Sequence, residues 1–222
     1  MRYYKNFRIV IGTPLWRFFL RWVYAKSIDD FKKLKFTPNF QKKDFICLLC
    51  GVGNEVTADE FIKFVLQRNN QAKIYIIDLG DEQIAAVRDL VKQKYQNVDI
   101  TVKRLNALDL ETMLSAKSIN WIETDGLFEF FDYDSLERLL KVWGKILKED
   151  GFITTRANST KGIVDRGIDN IKVWGGRVWL NITTYSHTRE KLHNLFKSTG
   201  FKFTQGSTPL LTYKRYSLIK GR

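Results

Sequence analysis

Cysteine, histidine and proline are scarce in this chain, and each shortage removes a class of explanation. Its 222 residues contain two cysteines, two histidines and three prolines. Two cysteines make no disulfide framework and suit a reducing compartment, so the expected location is cytoplasmic. They are Cys47 and Cys50, spaced as CxxC inside one apolar run. A redox CxxC normally sits at a helix start and a structural zinc needs four ligands, which here would have to include the distant His187 and His193. The two thiols therefore read as core residues. No Pro- or Ser-rich linker, repeat or low-complexity run divides the chain. Long apolar runs are also missing. The nearest, IVIGTPLWRFFLRWVYA (9–25), is broken by Arg17 and Arg21, short of the ~18 uninterrupted apolar residues of a membrane span. The same arginines would fall inside the core of a signal peptide.

What the chain has in excess is positive charge, unevenly placed. The net charge is +13; residues 1–45 carry 11 basic and 3 acidic groups, 46–150 carry 13 and 18, and 151–222 carry 13 and 3. A mildly acidic middle between two basic ends points to an anionic partner: nucleic acid, a nucleotide-like metabolite or a lipid headgroup. A solvated basic surface is the plainer reading of the same distribution.

The hydrophobic pattern alternates between short apolar runs and helical periods. Strands are expected at 45–50, 73–80, 98–105, 119–126 and 151–157, with helices at 57–68, 82–95 and 135–147. That alternation predicts βαβ units and a parallel sheet covered on both faces, an α/β doubly wound fold whose ligands sit at the carboxyl ends of the strands. The first strand ends in Gly51-Val52-Gly53 and runs into a helix, which brings bare backbone N–H groups to the strand end. The second ends in Asp78, 25 residues beyond Gly53. A glycine turn followed at about that distance by an acid is a nucleoside-binding signal, because the carboxylate can accept from both ribose hydroxyls. Asp81 is the better-spaced cap for the helix that follows.

In order and spacing, FICLLCGVGNE, KIYIIDLGDEQIAAVR, VKRLNALDL, INWIETDGLFEFF and LLKVWGKILKEDGFITT resemble the class I S-adenosylmethionine-dependent methyltransferases. The resemblance covers about residues 44–220. It implies a Rossmann-like, mostly parallel seven-stranded sheet, with 201–205 and 213–220 as an antiparallel closing pair. It also implies S-adenosylmethionine as cofactor. Gly51 and Gly53 would lie against its methionine part, Asp78 would hold the ribose, Leu79 would flank the adenine, and Asn106 and Ala107 would face the adenine edge. Cys50 and Glu123, at the ends of the first and fourth strands, complete the implied cofactor contacts. The chain departs from the family pattern where Cys47 replaces an early acid, Leu49 a glycine and Asn106 an aspartate.

Methyl transfer needs the acceptor placed for in-line attack and, when the acceptor must lose a proton, a base. Candidates are Glu123 and Asp125 around Thr124, Asn158 after the fifth strand, and Tyr185 with His187. Asp125 reads equally as a turn residue and His187 as the residue before a helix cap. The expected organisation is a basic, aromatic helical extension over 1–43 and a methyltransferase domain over 44–222. Thr13 and Pro14 start the extension's helix. Its wide apolar surface is expected to be a lid over the cleft, with a core or dimer helix and an interfacial membrane helix as the alternatives. The activity expected is methyl transfer to an anionic acceptor, a small molecule in preference to RNA, with peripheral membrane contact open. Two other readings stand beside it. A nicotinamide-dependent oxidoreductase is disfavoured because no third glycine follows Gly53 and Glu55 would oppose a pyrophosphate. A non-catalytic RNA- or membrane-binding module lacks an aromatic RNA-binding signature.

Overall fold

The computed structural model describes residues 13–175, 177–178, 183–210 and 212–221. The first twelve residues of the expected extension lie outside them. Seven strands form one sheet: β1 (Ile46–Cys50), β2 (Lys73–Asp78), β3 (Ile100–Arg104), β4 (Ile119–Asp125), β5 (Leu147–Asn158), β6 (Phe201–Ser207) and β7 (Tyr213–Lys220), in the order β3-β2-β1-β4-β5-β7-β6. Strands β1 to β5 are mutually parallel, and β7 inserts antiparallel between β5 and β6. The order reverses direction between β1 and β4, so a crevice opens at their carboxyl ends.

Helices cover both faces. On one side lie α1 (Pro14–Asp30), α2 (Glu55–Leu66) and α3 (Asp81–Lys94); on the other lie α4 (Tyr133–Ile146) and α6 (Arg189–Ser198), with α5 (Ile163–Gly175) after β5. Local chemistry sets the helix starts. Thr13 accepts from the Trp16 N–H ahead of Pro14, Asn54 accepts from Val56 and Thr57 N–H, and Asp132 accepts from Ser135 N–H. The Asn54 cap explains why α2 begins at Glu55, two residues before the periodicity alone suggests. At α3 the cap is Gly80 with no side-chain bond, and Asp81 is instead the first helical residue, paired with Arg104 at 3.0 Å.

Because successive strand side chains alternate faces, the two cysteines three apart go to opposite layers. Cys47 packs with the α1–α2 cluster and Cys50 with the α4 cluster, both fully buried, and burial pushes both thiols up.

Helix α1 belongs to the covering layer. Leu20, Val23 and Tyr24 are buried, and the helix packs on α2 and on β5, β6 and β7. Arg17 pairs with Asp59 at 2.9 Å and Glu60 at 2.8 Å, and Arg21 reaches Glu60 at 2.5 Å. The two arginines that interrupt its apolar run thus join it to α2.

Candidate functional site

The crevice at the strand ends is a cleft of about 380 Å³, within the few-hundred-Å³ range of small-molecule sites. Gly51, Val52 and Gly53 form one wall, Asp78 and Leu79 the next, Asn106 and Ala107 a third; Asp125, Leu127, Phe130 and Phe131 close the far end.

The glycine turn and the Asp78 carboxylate make one unit. Asp78 Oδ2 accepts from Val52 N–H and Oδ1 from Gly80 N–H, both at 2.7 Å, so the carboxylate ties the β1 turn to the end of β2. Burial raises its pKa, against the pull of these N–H groups. One position in this unit requires glycine, and a second is crowded by a side chain that can move. Gly51 has φ of 79°, and a Cβ there would come within 2.9 Å of Leu127 Cδ1; a Cβ on Gly80 would collide with the Gln83 amide. Leu79 is 58% exposed at the cleft, an apolar side chain without a cover. Asn106 Oδ1 accepts from Leu108 N–H, which shapes the third wall.

At the far end, register decides the electrostatics. Glu123 and Asp125 project from the same face of β4, where Thr154 and Arg156 of β5 stand beside them. Arg156 Nε donates to Asp125 at 2.9 Å and its Nη2 lies 2.7 Å from Glu123, all but Asp125 fully buried. Thr154 donates to Glu123, and Tyr213 donates to Asp125. Beneath them the Tyr24 ring of α1 lies 5.2 Å from the Arg156 guanidinium. Burial pushes the Glu123 carboxyl up to about 7 against the pull of Arg156, while the two carboxylates raise the Arg156 pKa despite its burial.

The structure brings Gly51, Gly53, Asp78, Leu79, Asn106, Ala107 and Asp125 together around the cleft. Cys50 and Glu123 lie behind that lining, in the core and in the ion-pair network. His187 is also off the lining: its Nε2 lies 2.8 Å from the Phe128 carbonyl, its ring meets Tyr133, and burial lowers its pKa. It joins the segment before α6 to the turn after β4, and Thr188 caps α6. Tyr185 is 40% exposed, and its N–H donates to the Glu129 carbonyl. Asn158 donates its N–H to Glu129 Oε1. Among the described residues, α1 contributes none to the cleft lining.

Three residues of this region escaped the sequence reading. Arg156 and Tyr213 hold Asp125, and Glu129 has its carboxyl pushed up to about 7 by burial. A Cβ on Gly126 would lie 3.3 Å from the Tyr213 hydroxyl and 3.8 Å from Glu129 Oε1, so both groups converge on the turn after β4. The available signal was an arginine inside an otherwise buried strand, GFITTRA, because a buried guanidinium demands carboxylate partners.

No protein-family model and no curated protein matches this chain. Solved structures do. An O-methyltransferase family protein from Burkholderia thailandensis is 13% identical with a TM-score of 0.63, over 80% of this chain and 51% of that one. Magnesium protoporphyrin IX methyltransferase from Synechocystis PCC 6803 with bound SAH is 10% identical with a TM-score of 0.60, over 90% and 83%. A SAM-dependent methyltransferase from Methanosarcina mazei is 12% identical with a TM-score of 0.59, over 83% and 96%. This chain spans about half the length of the first. At such identities the likeness is one of fold, and the fold is the Rossmann-like one of these methyltransferases.

Proposed function

We propose that the protein is an S-adenosylmethionine-dependent methyltransferase whose cofactor lies in the cleft around Asp78. The observation that carries this reading is the Asp78 unit. After accepting one backbone N–H each, both carboxylate oxygens retain a lone pair, an acceptor set matched to two ribose hydroxyls. Uncovered Leu79, with Ala107 and Leu108, offers an apolar slot for a flat base, and Asn106 offers its amide edge. Gly51 and Gly53 leave the β1 turn without side chains where the rest of the cofactor would lie. When bound, the cofactor supplies an electrophilic methyl group on a sulfonium.

The chain's own residues place the acceptor. Leu127, Phe130 and Phe131 exclude water at the far end of the cleft. Asp125, held by Arg156 and Tyr213, is an oriented hydrogen-bond acceptor more than a base. Glu129, whose carboxyl burial pushes up to about 7, lies outside the cleft lining and accepts from Asn158 N–H, so it holds the turn after β4 and is not a base for the acceptor. Glu123 and His187, expected as catalytic residues, act in this reading as positioning groups for Arg156 and for the turn after β4. The carboxylate at Asp125 disfavours an anionic reacting atom, so the basic flanks suit negative charge elsewhere on a small acceptor.

The test is ligand-dependent unfolding of the purified protein. S-adenosylmethionine or S-adenosylhomocysteine should raise stability, by about 2.7 kcal/mol at 100 times the dissociation constant, and NAD should not. Stabilisation by NAD alone would sink the reading.

A further inference from the structure

Helix α5 follows β5 and leaves a face of large apolar side chains in solvent. Ile163 is 89% exposed, Val164 74%, Ile171 70% and Trp174 62%, with Val178 just beyond at 54%. At about 100° per residue the four positions within α5 fall within one stripe about a quarter of the circumference wide. The opposite face carries Asp169, which is buried and accepts from Ser186. Exposed Lys161, Arg166 and Arg177 accompany the stripe, and Asp165, half-buried, accepts from the Lys161 N–H. A contiguous apolar stripe of this kind marks an interaction site, and cations bordering it select the partner's charge.

We propose that this face of α5 seats the protein on an anionic membrane surface. The pattern is that of an interfacial helix: aliphatic residues and one tryptophan for the acyl boundary, with arginine and lysine beside them for the headgroups. The surrounding C-terminal region supplies long-range attraction, since residues 151–222 carry 13 basic and 3 acidic groups. A bilayer fits better than RNA, because the stripe is aliphatic with a single large ring and offers no row of stacking platforms. No helix among the described residues is long and apolar enough to cross a membrane, so the contact would be peripheral. The seating has a consequence that rests on the cofactor reading above. Tyr185, beside Ser186, bonds the Glu129 carbonyl in the turn carrying Phe130. A seated α5 is therefore linked, through Ser186 and Tyr185, to the turn at the acceptor end of the cleft.

Full-length protein is sedimented with vesicles of phosphatidylcholine alone and of equal parts phosphatidylglycerol and phosphatidylcholine. Binding is expected to the anionic vesicles, weakening with salt, and to fall at least about tenfold in Ile171→Asp with Trp174→Asp. Those side chains are exposed, so melting temperature and S-adenosylhomocysteine stabilisation should stay as in the parent, which separates this test from that of the cofactor. Ile163→Asp with Val164→Asp should behave alike and serves if the first variant misfolds. Absence of binding at low salt, or undiminished binding by both double variants, would overturn the proposal. So would a dimer dissolved by these substitutions, or capture of single-stranded RNA in place of vesicles.

Discussion

Asp78 performs two tasks through one carboxylate. Because it bonds Val52 and Gly80 N–H, its removal disturbs the turn as well as any ligand contact, and the two effects separate by substitution. Asp78→Ala should abolish most of the S-adenosylhomocysteine stabilisation and also cost about 2 kcal/mol or more in the unliganded protein, since the N–H groups of buried Val52 and Gly80 lose a charged acceptor. Asp78→Asn keeps one acceptor oxygen and should give an intermediate loss of both. Calorimetry and urea unfolding measure the pair; an unliganded stability identical to the parent would refute the tie across the turn. Gly51 gives a second residue-scale outcome. Gly51→Ala places a Cβ at positive φ and against Leu127, so unfolding should show a loss of about 1–2 kcal/mol, with weaker cofactor binding as Leu127 shifts into the cleft.

At the scale of elements, α1 is the surprise. Its aromatic richness suited a lid, and a lid could be removed without harm to the domain. Leu20, Val23 and Tyr24 are instead buried as part of the layer that covers the sheet, and the Tyr24 ring lies beside the Arg156 guanidinium, so α1 supports the site from behind. Deleting residues 1–35 should therefore leave a chain without a cooperative melting transition, readable by circular dichroism; a sharp transition near that of the parent would return α1 to the role of an appendage. Arg17→Glu with Arg21→Glu should destabilise by about 1–3 kcal/mol, because it sets new negative charge against the Asp59 and Glu60 carboxylates, which keep Lys63, with Lys94 and the Tyr95 hydroxyl also on Asp59. The same ion pairs mean that charge reversal there tests folding before it tests any membrane contact of α1.

At the scale of the whole molecule, two sets of carboxylates oppose each other as pH changes. Burial pushes the Glu60 carboxyl up, but bonds from Arg21 and Arg17 outweigh it and hold the group at about 2, below its ordinary 4.5. Its contribution is present above pH 4.5 and is lost as pH falls toward 2. Glu123 and Glu129 are shifted the other way, from 4.5 to about 7. The folded state then binds more protons than the unfolded one between those values, and stability declines as pH rises from 4.5 through 7. Stability should peak on the acidic side of neutrality, in chemical denaturation across pH 3–8. Glu60→Gln should flatten the acid limb, and Glu129→Gln should reduce the decline toward neutrality. A maximum above pH 8 would contradict this balance.

The antiparallel closing pair followed only from the family resemblance, and α5 was not foreseen; the order of β1 to β5 with α2 to α4 between them, and the Gly51–Gly53 turn before Asp78, were legible in the chain. Each rests on local rules: side-chain period, capping, and the backbone freedom of glycine act over a few residues. The cleft inherited them because strand ends in this topology meet at the reversal of strand order. Pairings across the sheet were not legible. That Arg156 stands beside Asp125, that Tyr213 of β7 reaches the same carboxylate, and that Glu123 is sealed behind the lining depend on register, and a shift of one residue would send each side chain to the opposite face. Helix α1 posed the same limit, since a wide apolar surface states only that something must cover it. What covers it was decided by the ion pairs with α2 and the open sheet face beside β7, neither of which lies near α1 in sequence.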